Sequence, residues 1–313
     1  MLQKQLFFIM NQRQLKIKSL FLFFITLNFI SAQTSKEKSL ALIAKGAILT
    51  KLSDQFSFTE GPASDKKGNI YFTDQPNNRI MKWSVNGKLS VFMENAGRAN
   101  GLYFDRAGNL LACADEKNEL WKIDQNKNYT VILNNFEGKR LNGPNDLWVD
   151  PKGGIYFTDP FYKRDYWTHT SKEIEKESVY YLSPDKTKII NVANDLIKPN
   201  GIIGTSDGKT LYVADIGANK TYSYTIESNG SLGKKMLFTE SGSDGMTIDE
   251  FGNIYLTGNG VTVFNPQGEK IAHIDVSEPW TANVCFGGKK FKTLFITASK
   301  SVYTLEMNVR GMK

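Results

Sequence analysis

Between residues 59 and 307, short apolar or alternating runs are separated by clusters of Gly, Asn, Asp, Lys and Ser, the pattern of strands joined by turns. One phrase recurs: DKKGNIYFTD (65–74), DRAGNLLACAD (105–115), DPKGGIYFTD (150–159), SDGKTLYVAD (206–215) and DEFGNIYLTG (249–258), with GGKKFKTLFITA (287–298) as a degenerate sixth copy. A short apolar strand precedes each turn, a third strand follows, and usually a fourth, at a period of about 40–55 residues that matches propeller blades. This predicts an all-β, six-bladed β-propeller with four-stranded blades and little helix. The sixth unit stops after its third strand near Met307, so AILTKL (47–52) is expected to supply the missing outer strand and close the ring.

The N-terminus reads differently. Lys4, Arg13, Lys16 and Lys18 precede the apolar run LFLFFITLNFISA, which ends in small residues at Ala32. That order describes a signal peptide over 1–32, leaving 33–313 as one exported domain, periplasmic or secreted. An uncleaved anchor is the alternative, although the run is short for a span of about 20 residues. Removing the leader lowers the net charge from +7 to +3, too weak and dispersed for a nucleic-acid or membrane partner. A closed propeller needs no partner subunit, which predicts a monomer. Cys113 and Cys285 lie in strand-like runs with no metal or redox spacing and are read as buried small hydrophobes.

Strand order locates the candidate chemistry. The innermost strand of each blade runs along the central channel. Counting five residues back from the Asp that opens four of the turns reaches Glu60, Asn100, Asn145 and Asp244, and aligning the other two units adds Asn200 and Asn283. Asn-Gly and Asp-Gly could simply turn the chain. That does not explain Glu60, nor carboxylates and carboxamides in all six positions. Two carboxylates on one poorly solvated axis repel and are costly to desolvate unless a cation joins them. Oxygen donors alone suit Ca²⁺, and Mg²⁺, Mn²⁺ or Zn²⁺ can use the same oxygens. Only His169 and His273 are present, one in an insertion and one in an outer strand, which argues against a histidine-rich zinc site or a Ser-His-Asp triad. In LNGPNDLWVD (141–150), Asn145 is expected to face the axis and Asp146 to alternate away. Asp74, Asp115, Asp159 and Asp215 are expected to rim the mouth, mostly as structural caps. The 160–178 insertion lies at that same face and reads equally as a lid or as a solvated loop with a short helix.

TEGP (59–62), NGPNDLWVDPKGGIYFTDP (142–160), KPNGI (198–202), SDGMTIDEFGNIY (243–255) and TANVCFGG (281–288) resemble the gluconolactonase, senescence-marker-protein (regucalcin) and luciferin-regenerating-enzyme family. The resemblance covers essentially the whole chain after the leader. It implies a six-bladed propeller with one divalent metal on the axis, held here by Glu60, Asn145, Asn200 and Asp244. It also implies hydrolysis of sugar lactones or related esters as small-molecule substrates, with relatives acting on organophosphate fluorides. In that scheme the metal polarises the lactone carbonyl, Asp244 activates water through an oxygen left free, and Asn100, Asn142 and Asn283 are the candidate substrate contacts. A ligand-binding propeller with a structural calcium and a metal-dependent phosphotriesterase stay open as alternatives.

Overall fold

The computed structural model describes residues 42–312, so the expected leader lies outside the described residues. Six antiparallel blades follow one another around an axis, spanning 59–94, 99–133, 147–193, 199–239, 246–274 and 281–306. In blade 1 the strands Thr59–Ser64, Ile70–Asp74, Arg79–Trp83 and Leu89–Glu94 pair in sequence order from the axis outward. Blades 2, 3 and 4 repeat this order, and blades 5 and 6 are joined into one sheet by the bridge between Gly258 and Thr281. The outer strand of blade 6 is Thr50–Ser53, antiparallel to Ser301–Glu306 with Thr50 opposite Thr304. The N-terminal strand thus closes the ring as expected, and a small hairpin between blades 2 and 3 (Asn135–Phe136 with Lys139–Arg140) is an addition.

The near-continuous apolar strands follow from burial on both faces. Six hydrophobic clusters lie between neighbouring blades, and the period-2 alternation sends successive side chains to opposite neighbours. Ile70 and Phe72 pack with Phe295 and Val302 of blade 6, while Tyr71 packs with Leu102 and Leu110 of blade 2. In blade 3, Ile155 and Phe157 turn toward blade 2 and Tyr156 toward blade 4. Cys113 and Cys285 are free, buried, and in different clusters, as the pattern predicts. The turns keep their register through Asx geometry: Asp65 Oδ1 accepts from the N–H groups of Lys67 and Asn69, and Asp150 and Asp249 repeat this. No described helix is long and apolar enough to cross a membrane.

Candidate functional site

Backbone irregularity builds the centre. The innermost strands of blades 1, 2, 4 and 6 each carry a register shift at the predicted position: between Glu60 and Ala63, Ala99 and Leu102, Pro199 and Ile202, and Thr281 and Asn283. In blade 3, Asn145 N–H donates to the Thr158 carbonyl and Thr158 N–H donates to the Asp146 carbonyl, so two consecutive residues oppose one. Such bulges interrupt the alternation of side chains and re-aim them. The threonine of the repeated phrase clamps them: Thr257 Oγ1 accepts from Gly245 N–H at 2.8 Å and Thr297 Oγ1 from Asn283 N–H at 3.0 Å. The glycines after the ring residues allow blades to approach. A Cβ on Gly245 would strike the Asn283 carboxamide, and one on Gly101 would strike Asp146 and the Asn145 carbonyl.

The bulge overturns one expectation. Asp146 does not alternate away. Asn283 Nδ2 lies 3.3 Å from Asp146 Oδ2 and 3.5 Å from Glu60 Oε2, tying blades 3, 6 and 1 together across the channel. A cavity of about 400 Å³ continues along the innermost strands, with Asp146 and Asn283 on its wall. On the other side, Asn200 Nδ2 donates to Asp244 Oδ1 at 2.8 Å. Asn100 and Asn145 are buried and adjacent, with Gly101 N–H on the Asn145 carbonyl, and neither carboxamide has a hydrogen-bond partner among the described residues.

Electrostatics mark this as a site rather than a core. Burial, with Asp244 and then Asp146 nearby, pushes Glu60 well above the usual carboxylate range. Burial raises Asp146 to about 7. It raises Asp244 to about 6, against the opposing effect of its hydrogen bonds from Trp280 and Asn200. Asn200 Oδ1 is buried without a partner. Three mutually repelling carboxyls, an orphaned amide oxygen and unpaired carboxamides fit a hard cation, with Glu60, Asn145, Asn200 and Asp244 as the residues that could hold it. Among the described residues no three His, Cys, Asp or Glu side chains form a metal cluster by themselves, so carboxamides have to share in any such site. His273 bonds Thr262 in an outer strand and His169 stacks on Trp167, both away from this set.

The aspartates of the repeated phrase position the ring. Asp74 accepts from the N–H groups of Ser57 and Phe58, Asp159 from Asn142 and Gly143, and Asp215 from Ile197 and Lys198. These donors stand three and two residues before Glu60, Asn145 and Asn200, the same register each time. Asp115 departs from the rule. Its Oδ2 accepts from Arg164 Nε at 2.8 Å, Gln75 Nε2 at 3.1 Å and the Tyr166 hydroxyl.

Those partners belong largely to the 160–178 insertion, which has no helix in its length. Its first half is packed: Trp167 donates its indole N–H to the Asp115 carbonyl at 2.7 Å, and the Tyr162 hydroxyl accepts from Asn200 Nδ2 at 2.9 Å. Its second half is largely exposed and charged. Asn142, expected to contact substrate, is 1% exposed, and its amide donates to the carbonyls of Lys176 and Asp159. It ties down the insertion's exit, because Asp159 fixes its main chain and turns its side chain under the loop. Asp244 also differs from expectation. Its second oxygen is not free but accepts from the Trp280 indole N–H at 2.6 Å. Sequence reasoning missed Tyr162, Arg164 and Trp280. The available signals were the run FYKRDYW at the mouth and a lone tryptophan three residues before Asn283.

Comparison with known proteins agrees with this fold. The chain is 29% identical over 290 residues to a gluconolactonase of Zymomonas mobilis, covering 83% of this chain and 81% of that protein. It is 26% identical over 296 residues to diisopropyl-fluorophosphatase of Loligo vulgaris, covering 85% and 94% respectively. The crystal structure of a putative gluconolactonase superposes with a TM-score of 0.82 at 32% identity, covering 88% of this chain and 97% of that one. The pattern of the SMP-30/Gluconolactonase/LRE-like region matches residues 58–300. The chain therefore belongs to the SMP-30/gluconolactonase/LRE-like family.

Proposed function

We propose that the protein hydrolyses lactones at a divalent cation held by Glu60, Asn145, Asn200 and Asp244. The observation that carries this reading is the buried, mutually repelling carboxylate set beside the unpartnered Asn200 oxygen, an arrangement that a cation would stabilise. An all-oxygen donor set suits Ca²⁺, which when bound polarises a carbonyl and stabilises developing negative charge on its oxygen. The similarity to a gluconolactonase supports a cyclic ester as substrate.

The chain's own residues supply orientation and proton transfer. Asp244 takes the proton of the attacking water at Oδ2, where the Trp280 indole N–H fixes the carboxylate plane. Asn200 holds the other Asp244 oxygen and is itself held by Tyr162. Asn283 braces Glu60 and Asp146, and the buried Asn100 is a candidate substrate contact. The packed half of the insertion limits water access at the mouth. We further propose that the enzyme acts as an exported monomer after loss of the leader, which N-terminal sequencing of the native protein and sizing in solution would check.

The test is a panel of aldonolactones, aromatic lactones and a fluorophosphate, assayed after chelation and again with added Ca²⁺. Lactone turnover that is lost on chelation and restored by the ion is expected. A response to the fluorophosphate alone would favour the second reading, which rests on the similarity to the Loligo enzyme. No turnover with any substrate, together with a chelation-sensitive melting temperature, would move the ion to a structural role.

A further inference from the structure

The insertion brings a guanidinium to the mouth in an unusual state of engagement. Arg164 Nε is fixed on Asp115 Oδ2 at 2.8 Å, yet neither terminal nitrogen of Arg164 has a hydrogen-bond partner among the described residues. They are not orphaned in the interior, since the side chain is 24% exposed. Two surroundings hold the group, and a third flanks the ring it lies on. Asp115 is buried and receives Gln75 and Tyr166 at the same oxygen, so the anchor itself cannot swing. The Tyr162 ring lies 5.5 Å from the guanidinium carbon, and the Tyr162 hydroxyl is bonded to Asn200 of the ring. Lys198 approaches that same ring at 4.5 Å, backed by Glu177 at 3.6 Å.

The position is also linked to the axis: the Tyr162 hydroxyl beside Arg164 accepts from Asn200 Nδ2, which also donates to Asp244 Oδ1 at 2.8 Å. Arg98, by contrast, donates a terminal nitrogen to the Pro76 carbonyl at 2.7 Å. Arg164 keeps both available, in the planar two-pronged arrangement that matches paired oxygen acceptors.

We infer that Arg164 is a specificity-determining residue that binds paired oxygens on the substrate's arm, so that the site selects oxygen-rich lactones over alkyl lactones. The acceptors would be hydroxyls on adjacent carbons or a carboxylate, and the open-chain hydroxy acid formed by hydrolysis presents the same chemistry. The inference rests on the lactonase reading for its substrate and on the geometry of Arg164 alone for its subsite.

The experiment compares D-glucono-δ-lactone with δ-valerolactone, using wild type, Arg164→Lys and Arg164→Ala with saturating Ca²⁺. The ratio of kcat/KM between the two lactones should fall at least tenfold in Arg164→Ala, mainly through KM for gluconolactone, with Arg164→Lys in between. A ratio unchanged within twofold would overturn the inference and leave Arg164 as a lid fastener. Calorimetric titration with gluconate in the presence of Ca²⁺ gives a readout independent of turnover. Weaker gluconate binding in Arg164→Ala supports the subsite, and equal binding in both proteins overturns it. If the wild type hydrolyses neither lactone, the lactonase reading fails, and the gluconate titration still decides the arginine. Arg164→Gln replaces Arg164→Ala should the latter fail to fold, as judged by its melting profile.

Discussion

The wedges between blades and the ring on the axis are built from the same strands but obey opposite rules. In the wedges the side chains are largely apolar, and Phe72, wholly buried, and Tyr71, nearly so, fill opposite sides of one strand. At the axis the strands are bulged, the residues are carboxylates and carboxamides, and hydrogen bonding is left incomplete at Asn200. Stability is concentrated in one region and left unspent in the other. A site that holds charge against its own repulsion depends on a rigid surround, and the wedges provide it.

The sharpest way to break this comparison is to exchange the roles by mutation. Asp244→Asn and Glu60→Gln remove a proton acceptor or a ligand oxygen's charge, and lactone hydrolysis should drop by about three orders of magnitude or more. The cation-free melting temperature should stay the same or rise, because each change relieves carboxylate repulsion. Assays paired with thermal unfolding in chelator check both halves. Hydrolysis that persists in either cation-free variant would remove the proposed mechanism.

A wedge substitution should do the reverse. Phe72→Ala deletes a fully buried ring that packs edge-on to Phe56, and should cost about 3–5 kcal/mol of unfolding free energy. Denaturant unfolding measures the loss. Calcium affinity of the folded fraction should hardly change, and a large loss of affinity would mean that the two regions are not separable.

How much of this was legible in the sequence follows the same division. The repeats revealed the wedges because a strand buried on both faces leaves a continuous apolar run, and the closing strand followed from counting strands. The candidate ring residues were picked out by register, since a bulge repeated in several blades keeps its offset from the turn. Asp146 was misplaced for that very reason: strict alternation holds only where two strands stay in step, and Thr158 faces two residues of its partner. Tyr162, Arg164 and Trp280 were not readable as site residues. They lie on an insertion and an interblade linker, where no repeat fixes where a side chain ends up.

A finer comparison lies within the repeated phrase itself. Asp159 and Asp115 are the same residue of the phrase, yet one holds main-chain N–H groups of the segment that leads into its own blade and the other holds the insertion. Asp159→Asn cannot accept both N–H groups and should cost about 1–3 kcal/mol, with calcium binding weakened through Asn145. Asp115→Asn should lose less stability and act chiefly on KM for gluconolactone, by releasing Arg164. Equal stability losses with unchanged KM in both variants would erase the distinction.

The smallest expected effect reads the ring's unspent free energy directly. Asp146 near 7 and Asp244 near 6 lie above the ordinary carboxylate range, and Glu60 is raised as well. The cation-free native state therefore binds more protons than the unfolded chain between about pH 4 and 7, so its stability falls as pH rises through that window. A group with a depressed pKa would give the opposite slope. Chelated protein should melt a few degrees lower at pH 8 than at pH 5.5. Saturating Ca²⁺ should flatten or invert that slope, because the ion binds the ionised carboxylates and competes with protons for them. Melting curves at both pH values, with and without the ion, separate the two cases. A cation-free protein that grew more stable toward pH 8 would mean that these carboxylates are already compensated within the fold, and the physical argument for an ion on the axis would fail.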